Sequence, residues 1–159
     1  MNFTYRQLIE CGETQSKTKI TNLPIQVESY NAIYDLASKL LDPIVDYFGA
    51  IRLTYGFCSP ALSKLIHARV SPKLDQHASH EVSRKGTPVC DRLGAACDFI
   101  VDDENMREVA DWIIANHPFD RLYFYGDDRP LHISFGPQNS RAAYIMQKGA
   151  SGVVVPRRY

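Results

Sequence analysis

The sequence lacks several features that would place a chain in a well-defined class. No apolar run approaches the ~18 residues of a membrane-spanning helix. Cys11, Cys58, Cys90 and Cys97 form no C-x-x-C pair of the kind found in zinc ribbons. The chain does not open with a basic region and an apolar stretch, so no signal peptide is predicted. We therefore expect a cytoplasmic protein whose cysteines are reduced thiols.

Net charge is also absent, because 18 basic residues balance 18 acidic residues. Such a chain has no long-range field to collect nucleic acid or an anionic membrane surface. The short basic stretches "SRKG" and "PRRY" are local exceptions. The balance therefore argues against nucleic acid and membrane partners.

The composition is that of a folded globular protein. Hydrophobic residues make up 45% of the chain and charged residues 23%, which is typical of globular domains rather than disordered ones. A length of 159 residues corresponds to one domain with room for a core. Neither a repeat nor a low-complexity tract divides the chain, so we predict a single domain over residues 1–159.

Apolar residues recur at helical spacing in the first half and in two later segments. The spacing predicts helices over residues 4–11, 29–49, 59–66, 103–117 and 140–149. Pro43 should kink or restart the second helix, because proline lacks a backbone donor. Asp103 and Glu104 would occupy the first turn of the fourth helix, where the helix dipole favours acidic residues. The polar stretch 13–24 predicts an irregular loop.

Strand patterns cluster towards the end of the chain. Alternating or branched residues predict strands over 50–57, 94–101, 120–126 and 131–136, with a short one at "GVVV". The strands 120–126 and 131–136 are close enough to form a hairpin-like pair. Helices that come first and strands that cluster late indicate an α+β fold.

Two strand positions carry polar side chains that require an explanation. His132 alternates with apolar neighbours and should face the opposite side of its strand. Asp98 lies in a strand of small apolar residues, where an unpaired carboxylate is costly to bury and a cation would compensate. Together with His77 or His80, these residues make a three-ligand zinc site with one open position.

The segments "LTYGFCSPALSK", "DQH…LGAACDF" and "FDRLYFYGDDRPLHISF" occur in that order. They resemble the motifs "TSGYRSPALN", "S-Q-H-x-x-G-x-A-x-D" and "FDQLI-x-E…WVHIS". These belong to the zinc metallopeptidase family that includes the D-Ala-D-Ala carboxypeptidases, and in particular to its phage and prophage branch. Hedgehog signalling domains share that fold. The resemblance covers nearly the whole chain.

The resemblance implies a small, mostly antiparallel sheet packed against helices. It also implies Zn²⁺ held by His77, Asp98 and His132, with His80 as the fallback for His77. The expected reaction is hydrolysis of an amide by metal-activated water. The substrate would be a peptidoglycan-type peptide or another small amide or ester.

The sequence departs from the family pattern at three places. His77 and Asp98 are 21 residues apart, so residues 78–92 are an insertion, which we expect to fold back over the metal. The arginine of the family's first motif is Cys58 in this chain. The glutamate that is the presumed general base of the family falls on Tyr125, a poor base but a usable donor to an oxyanion.

Other residues would have to replace what the chain has lost. Asp128, shortly before His132, is the preferred candidate for the base, and Glu81 is a second carboxylate near the ligands. Arg84 and Arg92 in the insertion could bind substrate. For each of these residues, a solvated loop charge is the alternative interpretation.

Two functional hypotheses follow. The first is a zinc-dependent hydrolase that acts on an amide or ester. The second is a non-catalytic binding module, stabilised by the metal, that uses the inserted loop to contact a partner.

Overall fold

The N-terminal segment forms two short helices in the computed structural model, which describes residues 1–67 and 70–159. Helix α1 (Tyr5–Glu10) begins at Thr4, whose side chain and that of Gln7 form a capping box. Helix α2 (Glu13–Thr18) lies where an irregular loop was predicted, so that prediction was wrong. An i,i+4 pair between Glu13 and Lys17 supports this polar helix locally.

The long helix predicted over 29–49 is present in three parts. These are α3 (Val27–Leu36), a π-helical segment (Ala37–Leu41) and α4 (Asp42–Phe48). Pro43 lies in the first turn of α4, where its missing N–H is tolerated. A π-helical bulge directly before a proline relieves the clash that its ring would make with the preceding turn.

Six strands form one mixed sheet, with the spatial order β1-β2-β4-β3-β5-β6. Their bounds are β1 (Ile51–Tyr55), β2 (Ala95–Val101), β3 (Arg121–Phe124), β4 (Leu131–Phe135), β5 (Ala142–Lys148) and β6 (Val154–Arg158). Only the pairing of β3 with β5 is parallel, within the part of the chain that the structure describes. The predicted α+β class and the hairpin-like pairing of β3 with β4 are confirmed.

Helices cover one face of this sheet, which we call the helix face. Helix α3 packs on β2 and β4, and α6 (Met106–Asn116) packs on β2 and β3. Alternate strand residues supply the core on this side: Cys97, Phe99, Leu122, Leu131 and Ile133, all fully buried. The other side of the same strands is therefore left for polar chemistry.

Three of the predicted helices need correction. The segment 140–149 contains strand β5 (Ala142–Lys148) rather than a helix, because it pairs with β3 and β6, and Asn139 and Arg141 before it have left-handed φ values of 42° and 50°. Helix α6 begins at an Asn105 cap, so Asp103 and Glu104 precede it. Helix α5 is confined to Pro60–Ser63, although Ser59 caps it as expected.

Two predictions from the sequence concern the cysteines and the membrane-spanning helices. All four cysteines lie in the described part of the chain and are thiols, as predicted. Among the described residues, no helix combines the length and the apolar character that crossing a bilayer requires.

Candidate metal centre and substrate cavity

The candidate site begins as one row of side chains across the sheet, on the side opposite the helix face. We call this side the site face. Residues that pair across neighbouring strands point to the same side of a sheet. The row is Tyr55 in β1, Asp98 in β2, His132 in β4, Tyr123 in β3, Tyr144 in β5 and Arg158 in β6. Two of the three predicted metal ligands are therefore direct cross-strand neighbours.

The third ligand comes from outside the sheet. His77 lies in a short 3₁₀ turn (Gln76–Ala78), and the side chain of Asp75 accepts a hydrogen bond from its backbone N–H. Its ring Nδ1 is 2.8 Å from the carbonyl oxygen of Gly56. A carbonyl only accepts, so Nδ1 carries the proton, and Nε2 points towards the sheet.

His77, Asp98 and His132 form a compact group that could hold a metal ion. His77 Nε2 is 3.4 Å from Asp98 Oδ1, and His132 Nδ1 is 2.8 Å from the same oxygen. The three ligand atoms lie within 4.8 Å of one another. Ligand atoms in a tetrahedral site with bonds of about 2.1 Å are about 3.4 Å apart. The distance from His77 Nε2 to Asp98 Oδ1 matches this value, and His132 Nδ1 would move slightly away from Asp98 Oδ1 to bind the same ion.

The hydrogen bond of His77 to Gly56 favours a proton or a metal ion between its ring and Asp98. With Nδ1–H donated to Gly56, a neutral imidazole turns the lone pair of Nε2 towards the Asp98 carboxylate. Two lone pairs at that distance repel unless a proton or a metal ion lies between them. The carbonyl of Gly56 also fixes the ring in the tautomer that a metal ligand needs.

The same contacts set the pKa values of the metal-free protein. Burial by itself would raise the pKa of Asp98, but the adjacent His77 and the hydrogen bond from His132 hold it well below its usual range. Burial would lower the pKa of His77, and the Asp98 carboxylate raises it instead. Without metal, each group therefore favours the charged form of the other, a protonated His77 beside an ionised Asp98.

Burial limits how a metal ion can be approached. The side chains of His77, Asp98 and His132 are 6%, 28% and 12% exposed. Tyr123 stacks on the ring of His132, with ring centroids 4.9 Å apart, and fixes its orientation. The open side of Asp98 faces a cavity of about 220 Å³, which we call the ligand cavity. Tyr55, Tyr123 and Tyr125 also line it.

Hydrogen bonds join the two ends of the insertion between His77 and Asp98. The Ser79 hydroxyl donates to the Gly94 carbonyl at 2.7 Å, and Gly94 N–H donates to His80 Nε2 at 3.1 Å. Gly94 has a φ of 79°, and a side chain there would collide with the Phe135 backbone. This closure brings residues 77–80 beside residues 94–98, and His80 serves in it rather than in the group of ligand atoms.

The remainder of the insertion does not cover the ligands. Among the described residues, those lining the ligand cavity include none from 78–92, so the expectation that this loop folds over the metal was wrong. Glu81 is buried away from the cavity, and its carboxylate accepts hydrogen bonds from Ile25 N, Gln26 N and Ser29 Oγ at the start of α3. These contacts tie the insertion to the segment that leads into α3.

The two arginines of the insertion differ in position. Arg84 lies in an exposed turn closed by a hydrogen bond from Gly86 N to Ser83 O. Arg92 reaches the cavity rim, where its guanidinium donates to the Tyr123 hydroxyl at 3.1 Å and to the Leu74 carbonyl at 3.0 Å. Of this predicted pair, the structure places only Arg92 beside the cavity.

Tyr125 and Asp128 also differ in position. Tyr125 lines the ligand cavity and is about half exposed. Partial desolvation of its phenol and the nearby Asp98 raise its pKa to about 12, so the phenol remains a donor. Asp128 lies in the exposed turn between β3 and β4 and does not line that cavity.

Asp75 and Gln76 are site residues that the sequence reasoning missed. Asp75 is buried and lines the cavity beside His77. Gln76 donates to Asp120 Oδ2 at 2.7 Å and accepts from Ser134 Oγ at 2.8 Å, which ties the His77 turn to the sheet. Their position immediately before His77 was a signal that could have found them.

No family model, no curated protein and no solved structure matches the chain. The geometry of the site and the motifs in the sequence therefore carry the functional argument.

Proposed function

We propose that the protein is a zinc-dependent hydrolase that cleaves an amide in a peptide or another small amide or ester substrate. The main support is the group of His77, Asp98 and His132. It offers two imidazoles and one carboxylate beside a cavity, which is the ligand set of catalytic zinc sites that keep one position open. The motif resemblance to zinc metallopeptidases supports the same choice of metal.

Three residues of the chain assist the zinc ion in the proposed reaction. A zinc ion in this site supplies Lewis acidity, which polarises a carbonyl and acidifies water. Tyr125, protonated at neutral pH, donates a hydrogen bond to the carbonyl oxygen as negative charge develops on it. Tyr123 and the Gly56 carbonyl keep the two histidines oriented.

We assign the role of general base to Asp75 rather than Asp128. Apart from Asp98, Asp75 is the carboxylate that lines the cavity among the described residues. A base must stand within reach of the proton that it takes, and an exposed turn outside the cavity does not meet that condition. Because Asp75 also accepts a hydrogen bond from His77 N, its position relative to the ligands is fixed.

The test is hydrolysis by the zinc-loaded protein and two matched variants. Metal analysis should give one zinc per chain, and a panel of amide and ester peptides should contain a substrate. Asp75→Asn preserves a capping side chain and should lower kcat by about 100-fold or more without loss of zinc. Asp128→Asn, the control, should stay within about twofold of the wild type. Equal activity of all three proteins would reject Asp75 as base.

A second candidate function has one observation in its favour. Tyr125 stands where the family has its glutamate, and the tip of the insertion (residues 84–88) is exposed while hydrogen bonds hold its base. These features suit a metal-stabilised binding module that contacts a partner through the insertion. Full zinc occupancy with no turnover on the whole panel would favour this module over the hydrolase.

A further inference from the structure

A second cavity adjoins the metal site on the other side of Tyr125. It has a volume of about 470 Å³ and shares Asp98 and Tyr125 with the ligand cavity. Its remaining walls come from the turn before β4 and from the β5–β6 hairpin. A volume of this size suits a small ligand or part of a larger one.

The chemistry of this second cavity differs from that of the first. Two cations, Arg129 and Lys148, line it together with the apolar side chains of Pro130, Met146 and Val154. Within the described residues, neither cation has a carboxylate within ion-pair distance, whereas Arg107 and Arg121 on neighbouring elements each have one. Two cations without an ion-pair partner, beside an apolar floor, are complementary to an anionic group on an apolar stem.

Strand geometry places these cations at one end of the site face. Lys148 follows Tyr144 by four residues of β5, which corresponds to about 13 Å along the strand. Arg129 lies in the turn that leads into β4, at the same end of the sheet, because β4 runs antiparallel to β3 and β5 runs parallel to it. Both side chains are long and line a cavity that Asp98 also lines, so their charged groups can reach positions two or three extended residues from the metal ligands.

We propose that Arg129 and Lys148 form a subsite that binds a carboxylate of the substrate two or three residues from the cleaved amide. The inference rests on the proposed hydrolase function and specifies its substrate class as an acidic peptide. The distance separates this subsite from one that would hold the α-carboxylate of the leaving residue. The apolar floor accommodates the aliphatic part of the residue that carries the carboxylate.

Peptide hydroxamates provide a binding test that needs no turnover, because the hydroxamate anchors each probe on the zinc ion. Two series extend from the hydroxamate on its acyl side and on its amine side, with Glu or Gln at the second or third residue. The amine-side series is made with free and amidated C-termini, which separates a side-chain carboxylate from a terminal one. In one series the acidic probe should bind about tenfold more tightly than its neutral partner, and salt should reduce that ratio.

Matched variants locate the preference. Arg129→Ala/Lys148→Ala should abolish the tenfold ratio, and Arg129→Glu/Lys148→Glu should favour probes carrying Lys. The control Lys85→Ala/Arg157→Ala removes the same net charge. Lys85 lies in the insertion, and Arg157 pairs with Ile145, whose side chain packs on the helix face. This control should keep the ratio.

The outcomes separate the two proposals. Equal binding of acidic and neutral hydroxamates to the wild type would overturn the subsite and leave the hydrolase intact. A ratio that survives in Arg129→Ala/Lys148→Ala would also overturn it. Failure of every hydroxamate to bind the zinc-loaded protein would overturn the proposed function, and the subsite with it.

Discussion

Strands β2 and β4 present two chemically different faces, although the residues on them alternate along the same backbone. On the helix face, Phe99 pairs with Leu131 and is fully buried. On the site face, the adjacent residue Asp98 pairs with His132 and remains partly open to a cavity. A substitution on one face should therefore reduce stability, whereas its neighbour on the other should reduce metal binding.

The largest effect is expected on the helix face. Phe99→Ala removes a fully buried ring and leaves a cavity, so the free energy of unfolding should fall by about 3–5 kcal/mol. Urea unfolding measures this loss. The folded fraction should still bind zinc, because the ligands face the other side. A loss below about 1 kcal/mol would contradict the assignment of Phe99 to the core.

The next effect should appear on the site face. His77→Ala and His132→Ala each remove one ligand, and zinc affinity should fall by more than about 100-fold, beyond the usual cost of losing an outer contact. The zinc-induced rise in Tm should disappear with it. His80→Ala is the matched control, because His80 bonds Gly94 N instead. Zinc loss in His80→Ala but not in His77→Ala would reverse the assignment of the ligand.

Glu81 was predicted to act near the metal ligands, but its contacts indicate a structural role that substitutions can test. Glu81→Ala leaves three donors at the start of α3 without their acceptor and should cost about 1–3 kcal/mol of stability. Glu81→Gln should recover part of that loss, because its amide oxygen still accepts. Zinc binding and kcat should be unchanged. A large fall in kcat of the stable Glu81→Gln variant would show a catalytic role.

The smallest effect concerns pH. The raised pKa of His77 contributes stability below its unfolded value of about 6.5, and this is lost as pH rises through the folded value. The lowered pKa of Asp98 contributes above about 3.9 and is lost as pH falls through the folded value. The contribution of the pair to the metal-free protein is therefore largest between about pH 4 and 6.5.

Zinc should reverse the trend on the alkaline side, because a zinc ligand must be a neutral imidazole and affinity rises with pH. Urea unfolding of the metal-free wild type and of His77→Gln at pH 5.5 and 8 isolates the contribution of His77. The stability difference between these proteins should shrink at pH 8. A difference that grows with pH would contradict the ion pair between His77 and Asp98.

Some of this architecture could be predicted because its determinants are local. The period-two alternation around Asp98 and His132 indicates two strands with a polar side chain facing away from the core. The Thr4 and Ser59 caps and the effect of Pro43 were also readable from neighbouring residues. Strand β5 was not, because "AAYIMQK" favours a helix by propensity and becomes a strand only through pairing with β3 and β6.

In the candidate site, too, some features could be predicted from the sequence and others could not. The sequence by itself predicted the candidate ligands, two imidazoles and a carboxylate, and the long separation between His77 and Asp98. Only the tertiary structure decided that His77 rather than His80 faces Asp98. The two histidines lie three residues apart, and their orientation depends on hydrogen bonds to Gly56 and Gly94. Those partners are distant in sequence, so no local pattern could specify them.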